Sequence, residues 1–196
     1  MSVTTIATGA PQRGHDDESI GYFYSLPITS STIPTDAFTA PTGTPIDGGF
    51  VGDEGPTLTC ELDSETKKDW NLDPVIQVLQ GADATLEIPV FGWNEEQAGV
   101  IYGADSVVET TNGFKVAWAG ELSERRFWFL ELAGVNGNGR LIVDGQVKNP
   151  GSVQFNKGDA LTHTVTLQLF KNSKFKDAKS RSSFFVWYDE TKPVTP

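Results

Sequence analysis

Cysteine is almost missing from this chain. Cys60 is the single thiol in 196 residues, so no intrachain disulfide can form and a disulfide-stapled secreted scaffold is excluded. Histidine is nearly as rare, with His15 and His163 far apart. One Cys and two separated His do not make a zinc ligand set. Bases are in short supply: 15 Lys+Arg against 26 Asp+Glu leave a formal charge of −11. A surface that acidic repels the phosphate backbone of DNA and RNA. No apolar run approaches the roughly 20 residues that span a bilayer. Residues Met1 to Gly14 are rich in Thr, Ala and Gly, with no basic head and no apolar stretch, unlike a secretory signal. The expectation is a soluble protein made and kept in a reducing cytoplasm.

What the chain does have is apolar bulk. Hydrophobic residues make up 38% and aromatics 11%, enough to pack a core and to exclude a wholly disordered chain. The length suits one ordinary domain or two small ones. Charge is unevenly spread. Met1 to Ser64 holds nine acids (Asp16, Asp17, Glu18, Asp36, Asp47, Asp53, Glu54, Glu61 and Asp63) against Arg13 alone. Lys171, Lys174, Lys176, Lys179 and Arg181 crowd one later stretch with only Asp177 among them. Uneven decoration of a solvated surface accounts for this pattern. So does a polar molecule whose acidic end meets the basic end of the next copy.

Period-two alternation recurs along the chain, as in strands with one buried and one wet face. Leu58, Cys60 and Leu62 alternate with Thr57, Thr59, Glu61 and Asp63. Ala84, Leu86, Ile88 and Val90 alternate with Thr85, Glu87 and Pro89. Phe114, Val116 and Trp118 form a third apolar row, and His163, Val165, Leu167 and Leu169 a fourth. Phe127 to Leu132 is apolar on both faces and reads as a central strand. Ser183 to Tyr188 reads as a last one. Asn136-Gly137-Asn138-Gly139 is hairpin chemistry, because Gly and Asn accept positive φ; it should join that central strand to one over Arg140 to Val147. One segment breaks the alternation. Asn94 can cap a helix with Gln97 as its capping-box partner, Glu95 and Glu96 suit the first turn, and Gly103 suits the stop. The expected fold is mainly β, a sandwich or partial barrel with one short flanking helix at 95–102. Residues 20–188 form that domain, with a long Pro/Thr-rich loop at 26–50 that is structureless by pattern. Residues 1–19 read as a mobile arm and 189–196 as an extended tail.

Chemistry is thin. No nucleophile elbow, zincin helix, P-loop or dinucleotide fingerprint occurs, so no catalytic, cofactor-binding or metal residue is assigned. His163 lies on an apolar strand face, where a structural role is the common one. Cys60 shares its face with Leu58 and Leu62, as a small buried hydrophobe would. Glu61, Asp63, Glu65, Asp69 and Asp73 lack the turn glycine and closing Glu of a calcium loop, and Lys67 and Lys68 interrupt them. Trp118 and Trp128 fall on expected core faces, while Trp70 and Trp93 are open to another role, such as stacking on a sugar.

A β core without a catalytic cluster, with polarised charge and long irregular segments, suggests assembly. Sheet edges carry unpaired N–H and C=O groups, and head-to-tail edge pairing about a closing rotation makes a ring. The order of elements from Ile20 to Val108 resembles the major tail tube proteins of long-tailed bacteriophages. An aromatic strand, Gly21-Tyr22-Phe23-Tyr24, precedes a Pro/Thr loop. Gly49-Phe50-Val51-Gly52-Asp53-Glu54-Gly55 leads into an alternating strand. An acidic strand then runs into Lys67-Lys68-Asp69-Trp70, a strand ends at Phe91, and a Glu-started helix closes at Tyr102-Gly103. Asn71-Leu72 stands where that family often has a glycine pair.

The resemblance implies a virion protein of the phage tail, assembled in the bacterial cytoplasm without contact to a membrane. Its copies form sixfold rings around a shared β-barrel, and the rings stack into a tube. Its partners would be itself, a tape-measure protein, and terminator and tip proteins. DNA would pass through without specific binding. Glu61, Asp63 and Glu87 are the candidates to line the channel. Lys171, Lys174, Lys176, Lys179 and Arg181 are the candidates for stacking against the next ring's acids. The alternative is a non-catalytic binding module, carbohydrate-binding or adhesin-like.

Overall fold

The computed structural model describes residues 20–29, 32–52, 54–91, 94–133, 137–151, 153–154 and 162–191. The arm expected at 1–19, the last five residues and Trp93 lie outside them. The elements in chain order are β1 (Ile20–Pro27), β2 (Ile46–Asp47), β3 (Phe50–Val51), β4 (Thr57–Lys68), β5 (Pro74–Phe91), α1 (Glu95–Tyr102), a 3-10 turn (Ala104–Ser106), β6 (Val107–Thr110), β7 (Gly113–Val116), β8 (Arg126–Ala133), β9 (Gly137–Asn149), β10 (Val153–Gln154), β11 (Thr162–Leu169), β12 (Asn172–Lys176), β13 (Ser182–Ser183) and β14 (Phe185–Thr191). The last strand thus runs into the segment expected as a tail.

One large antiparallel sheet has the order β2-β1-β8-β9-β11-β5-β3, with β14 also on β9, β4 also on β5 and β10 on β11. The sheet folds over at β9. Residues 137–143 of β9 pair with β14 on the edge opposite β8, whereas residues 145–149 pair with β11 on that same edge. β1, β8 and β9 thereby face β11 and β5 across a core, the sandwich or partial barrel expected. Phe23 stacks on Trp128 at 5.1 Å between centroids. Leu86, Ile88 and Val90 of β5 meet Leu141, Val143, Val165 and Leu167 there.

Helix α1 closes one side of this core with Val100, Ile101 and Tyr102. Asn94 caps it, its Oδ1 accepting from the Gln97 amide at 2.6 Å. The Gln97 side chain does not return to the cap as a capping box requires. It is buried and donates to the Gly48 carbonyl at 2.6 Å, which ties the helix to the turn before β3. None of the described helices is long and apolar enough to cross a membrane.

β8 buries both faces, as its composition demands. Trp128 and Leu130 enter the first core. Phe127 and Phe129 enter a second, with Tyr24, Leu26, Ile142 and Phe175. The cover of this second core is the segment read from sequence as a structureless loop. Leu26 and Pro27 finish β1, Ile46–Asp47 pairs with β1 as β2, and Phe50 opens β3. Between them the Thr32–Thr42 bridge is the ladder contact among the described residues, and the segment is held at several further points. Asp36 carboxylate oxygens accept from the Phe38 amide and the Thr39 hydroxyl, and these bonds hold the Asp36 carboxyl below the usual range. Arg140 Nη1 donates to the carbonyls of Asp36 and Thr39 at 2.8 and 2.6 Å. The Ala37 amide donates to Glu190. Arg140 is itself fully buried and paired through Nη2 to Glu131 Oε1 at 2.8 Å. Tyr24 donates its hydroxyl to the same oxygen at 2.5 Å. Burial pushes the Glu131 carboxyl up, against the pull of Arg140 and Tyr24.

Two expected core faces are not buried. Cys60 is exposed and Leu62 is 73% exposed. β11 pairs beside β5 only over residues 85–91, and beyond that point β4 and β5 run on by themselves among the described residues, exposed from residue 59 to 80. Trp118 is 50% exposed. Its strand, β7, stops at Val116 because β6 and β7 form a separate hairpin, and the indole lies edge-on to Tyr102.

Breaking a buried ion pair by removing one partner strands the other charge and costs about 3–5 kcal/mol. Arg140→Met should therefore lower stability by about that much in urea denaturation. Adding Glu131→Leu should recover a large part of the loss, since no lone carboxylate then remains.

Candidate functional site

The most unusual surface of the molecule is the part of β4 and β5 that leaves the sandwich. β4 has 12 residues and β5 has 18, and they pair from Thr57↔Glu87 out to Lys68↔Pro74. Beyond Glu61 the two strands continue for roughly 25 Å at the usual rise per residue. Every residue from 59 to 80 is exposed. Among the described residues, β4 pairs with β5 alone, so its outer edge is open.

Register decides what each face of this ribbon presents. Residues directly opposite share a face, and alternate residues along a strand do as well. Thr57↔Glu87, Glu61↔Asp83 and Asp63↔Gly81 place Glu61, Asp63, Glu65, Asp83 and Glu87 on one side. The three expected channel-lining residues are thus brought together, with Glu65, grouped in the sequence with Glu61 and Asp63, and with Asp83. Like charges directly opposite, as in Glu61↔Asp83, destabilise a strand pair. Part of the Asp83 charge is met by Ala84 N–H and the Gln168 side-chain amide.

The other side continues the core face outward: Leu58↔Leu86, Cys60↔Ala84 and Leu62↔Ala82. Past an irregularity after Asp63, Val75, Ile76, Val78 and Leu79 are exposed on both faces. At the tip Asp69 accepts from the amides of Asn71 and Asp73, so this acid builds a turn. Trp70 stands there 99% exposed. An apolar groove of about 290 Å³ lies at the ribbon's base, between Leu58 and Leu86 on one layer and Leu132, Leu141, Phe185 and Trp187 on the other.

The basic residues form one hairpin on the outer face of β8. Phe175 anchors it against Phe127. The Lys171 ammonium lies over the Phe184 ring and that of Lys174 over Phe127. Arg181 is paired to Asp177 at 2.7 Å. Lys176 and Lys179 are exposed and belong to none of the ion pairs among the described residues. The five expected stacking residues therefore share one element, but two of them carry its outward charge.

Among the described residues no group of three His, Cys, Asp or Glu side chains could hold a metal ion. His163 is buried on β11, opposite Val90, and desolvation lowers its pKa from 6.5 to about 4.

The apolar reach of β5 was present in the letters as Val75-Ile76 and Val78-Leu79. The turn Asp69 to Asp73 then sets the pairing that gathers the acids. The two apolar pairs leave no alternating face in the sequence, because adjacent apolar residues put Val75, Ile76, Val78 and Leu79 on both faces of β5.

The unfolded chain takes up a proton on His163 near pH 6.5 and the folded chain near pH 4. That contribution to stability is complete above pH 6.5 and declines as pH falls toward 4, by up to about 3 kcal/mol. His163→Leu should flatten this part of the pH–stability curve measured by thermal or urea unfolding.

No family model matches the chain, and no curated protein matches it.

Proposed function

We propose that this chain is a structural subunit that polymerises as stacked six-membered rings into a bacteriophage tail tube, a hollow conduit for DNA delivery into the host. The observation that carries this reading is the β4–β5 ribbon. A two-stranded ribbon alone is marginal in water. This one has an open edge, an apolar face continuous with the core, and Val75, Ile76, Val78 and Leu79 in solvent. Pairing with the ribbons or edges of neighbouring copies satisfies the backbone and buries that face. Six copies turning around an axis then make one closed barrel.

In that arrangement the carboxylates of Glu61, Asp63 and Glu87, with Glu65 and Asp83, line the channel. Six chains at −11 each give about −66 per ring, and the field of an acidic wall reaches about 8 Å at physiological salt. DNA passing along the axis is repelled and does not adhere. The tape-measure protein, terminator and tip proteins are the partners of such a tube, which is assembled in the bacterial cytoplasm and works as part of the virion tail. Trp70 at the ribbon tip favours the second reading, a carbohydrate-binding or adhesin-like module, since an exposed indole can stack on a sugar face.

Electron microscopy of the purified protein at rising concentration and salt separates the two. The tube reading expects hollow tubes of uniform diameter, forming more readily as salt screens the acidic rings. A persistent monomer that binds glycans through Trp70 would support the module and reject the tube.

A further inference from the structure

A second groove, of about 320 Å³, opens between α1 and the start of β8. Glu95, Glu96 and Glu124 line it together with Arg126, Ile46 and Val100. The glutamates are exposed. Arg126 is not: it is 6% exposed. Its Nε donates to Ser25 Oγ at 3.0 Å, and its Nη1 lies 3.8 Å from Glu124 Oε2. Nη2 is buried with no hydrogen-bond partner among the described residues. A guanidinium donor in that position calls for an oxygen acceptor. The carboxylates around it call for cations. A small anion meets only the first demand and a metal ion only the second. A lysine-bearing turn of polypeptide meets both, with an ammonium for the glutamates and a main-chain carbonyl for Arg126.

This chain carries such a turn. From Asn172 to Ser183 there are four bases, Lys174, Lys176, Lys179 and Arg181, and one acid, Asp177. Asp177 is already engaged, accepting from the amides of Lys179 and Arg181 and from Arg181 Nε. These bonds fix the turn and leave Lys176 and Lys179 as its outward charges.

The fold keeps the groove and the turn of one copy apart. Arg125 and Arg126 are neighbours in sequence, and their side chains leave opposite faces of the sheet. Arg125 pairs with Asp144, which also accepts from Asn172 at the root of the hairpin. Arg126 lies on the core side with Trp128. Groove and hairpin root are thus at one level of β8, back to back. A single copy cannot join them, but two copies side by side can. Repeating a contact between unlike faces at a constant level turns about an axis and makes a ring where the rotation closes. We infer that the acidic groove receives the Lys176–Lys179 turn of the adjacent copy within the same ring, which makes the basic hairpin a ring-closing element in place of a stacking one. This inference rests on the self-assembly proposed above.

The contact is testable by charge reversal, because a head-to-tail interface permits complementary mixing. One variant carries Glu95→Lys and Glu96→Lys; the other carries Lys176→Glu and Lys179→Glu. All four positions are exposed, and circular dichroism with thermal melting checks each fold. Each variant alone should need about tenfold or more protein to form rings in native mass spectrometry. An equal mixture should assemble near the wild-type concentration, since reversed groove meets reversed turn in alternating copies. Rings from each variant at the wild-type concentration, or a mixture no better than its components, would overturn the contact while leaving the tube reading intact. A wild-type chain that never forms rings would remove both. As a second measurement, Glu96→Cys and Lys179→Cys chains, each also Cys60→Ser, are mixed with a bis-maleimide. A crosslinked heterodimer is expected, and a product of monomers alone counts against the contact.

Discussion

Arg140 sits wholly out of water between two layers, and the outer layer depends on it. Its guanidinium reaches Glu131 on the adjacent strand and the carbonyls of Asp36 and Thr39 in the overlying segment. A buried charge is tolerated only when paired and hydrogen-bonded. Here the need to satisfy Arg140 is what brings a proline- and threonine-rich segment down onto the sheet. Beneath that segment lie Tyr24, Leu26, Phe127, Phe129 and Ile142. Without the cover, one face of β1, β8 and β9 would be open apolar surface. With it, β8 is buried on both faces and the sandwich gains a third layer on one side only.

The opposite layer is treated differently. Among the described residues β5 is paired with β11 along part of its length and then runs on with β4 alone. No segment among the described residues comes down over the ribbon as the Pro/Thr segment does over β8. The molecule therefore has one finished side, closed by a buried ion pair, and one unfinished side with acids on one face and aliphatic side chains extending to its tip. On the proposed reading, completion comes from further copies of the chain. On that reading polymerisation would do for β4 and β5 what Arg140 does for β8.

Much of the local structure was legible in the residues. Helix α1 has the bounds its cap and stop residues indicate, and the apolar character of Phe127 to Leu132 marks a strand buried on both faces. The hairpin from that strand to β9 was legible too, but its register, Ala133↔Asn138 and Glu131↔Arg140, centres between residues 135 and 136, so Gly137 to Gly139, expected in the turn, already belong to β9. The candidate site was less legible. Glu61, Asp63 and Glu65 on one strand and Glu87 on another follow from alternation as acids on a wet face, but only register brings the acids of β4 to the same side as Asp83 and Glu87 of β5. Cys60, Leu62 and Trp118 were expected inside because they alternate with polar neighbours. Alternation distinguishes two faces of a strand without saying whether either is covered.

That distinction marks what the sequence settled by itself. Backbone geometry sends successive side chains to opposite faces, so strands, their faces, the helix and its cap follow from the order of residues alone. Which faces leave water was decided only in the tertiary structure. Burial requires a second layer, and that layer comes from residues far away in the chain: Asp36 and Thr39 over Arg140, β1, β8 and β9 over the inner part of β5, and none of the described residues over its outer part. Such contacts leave no local period to read, because they depend on where β9 lets the sheet fold back on itself.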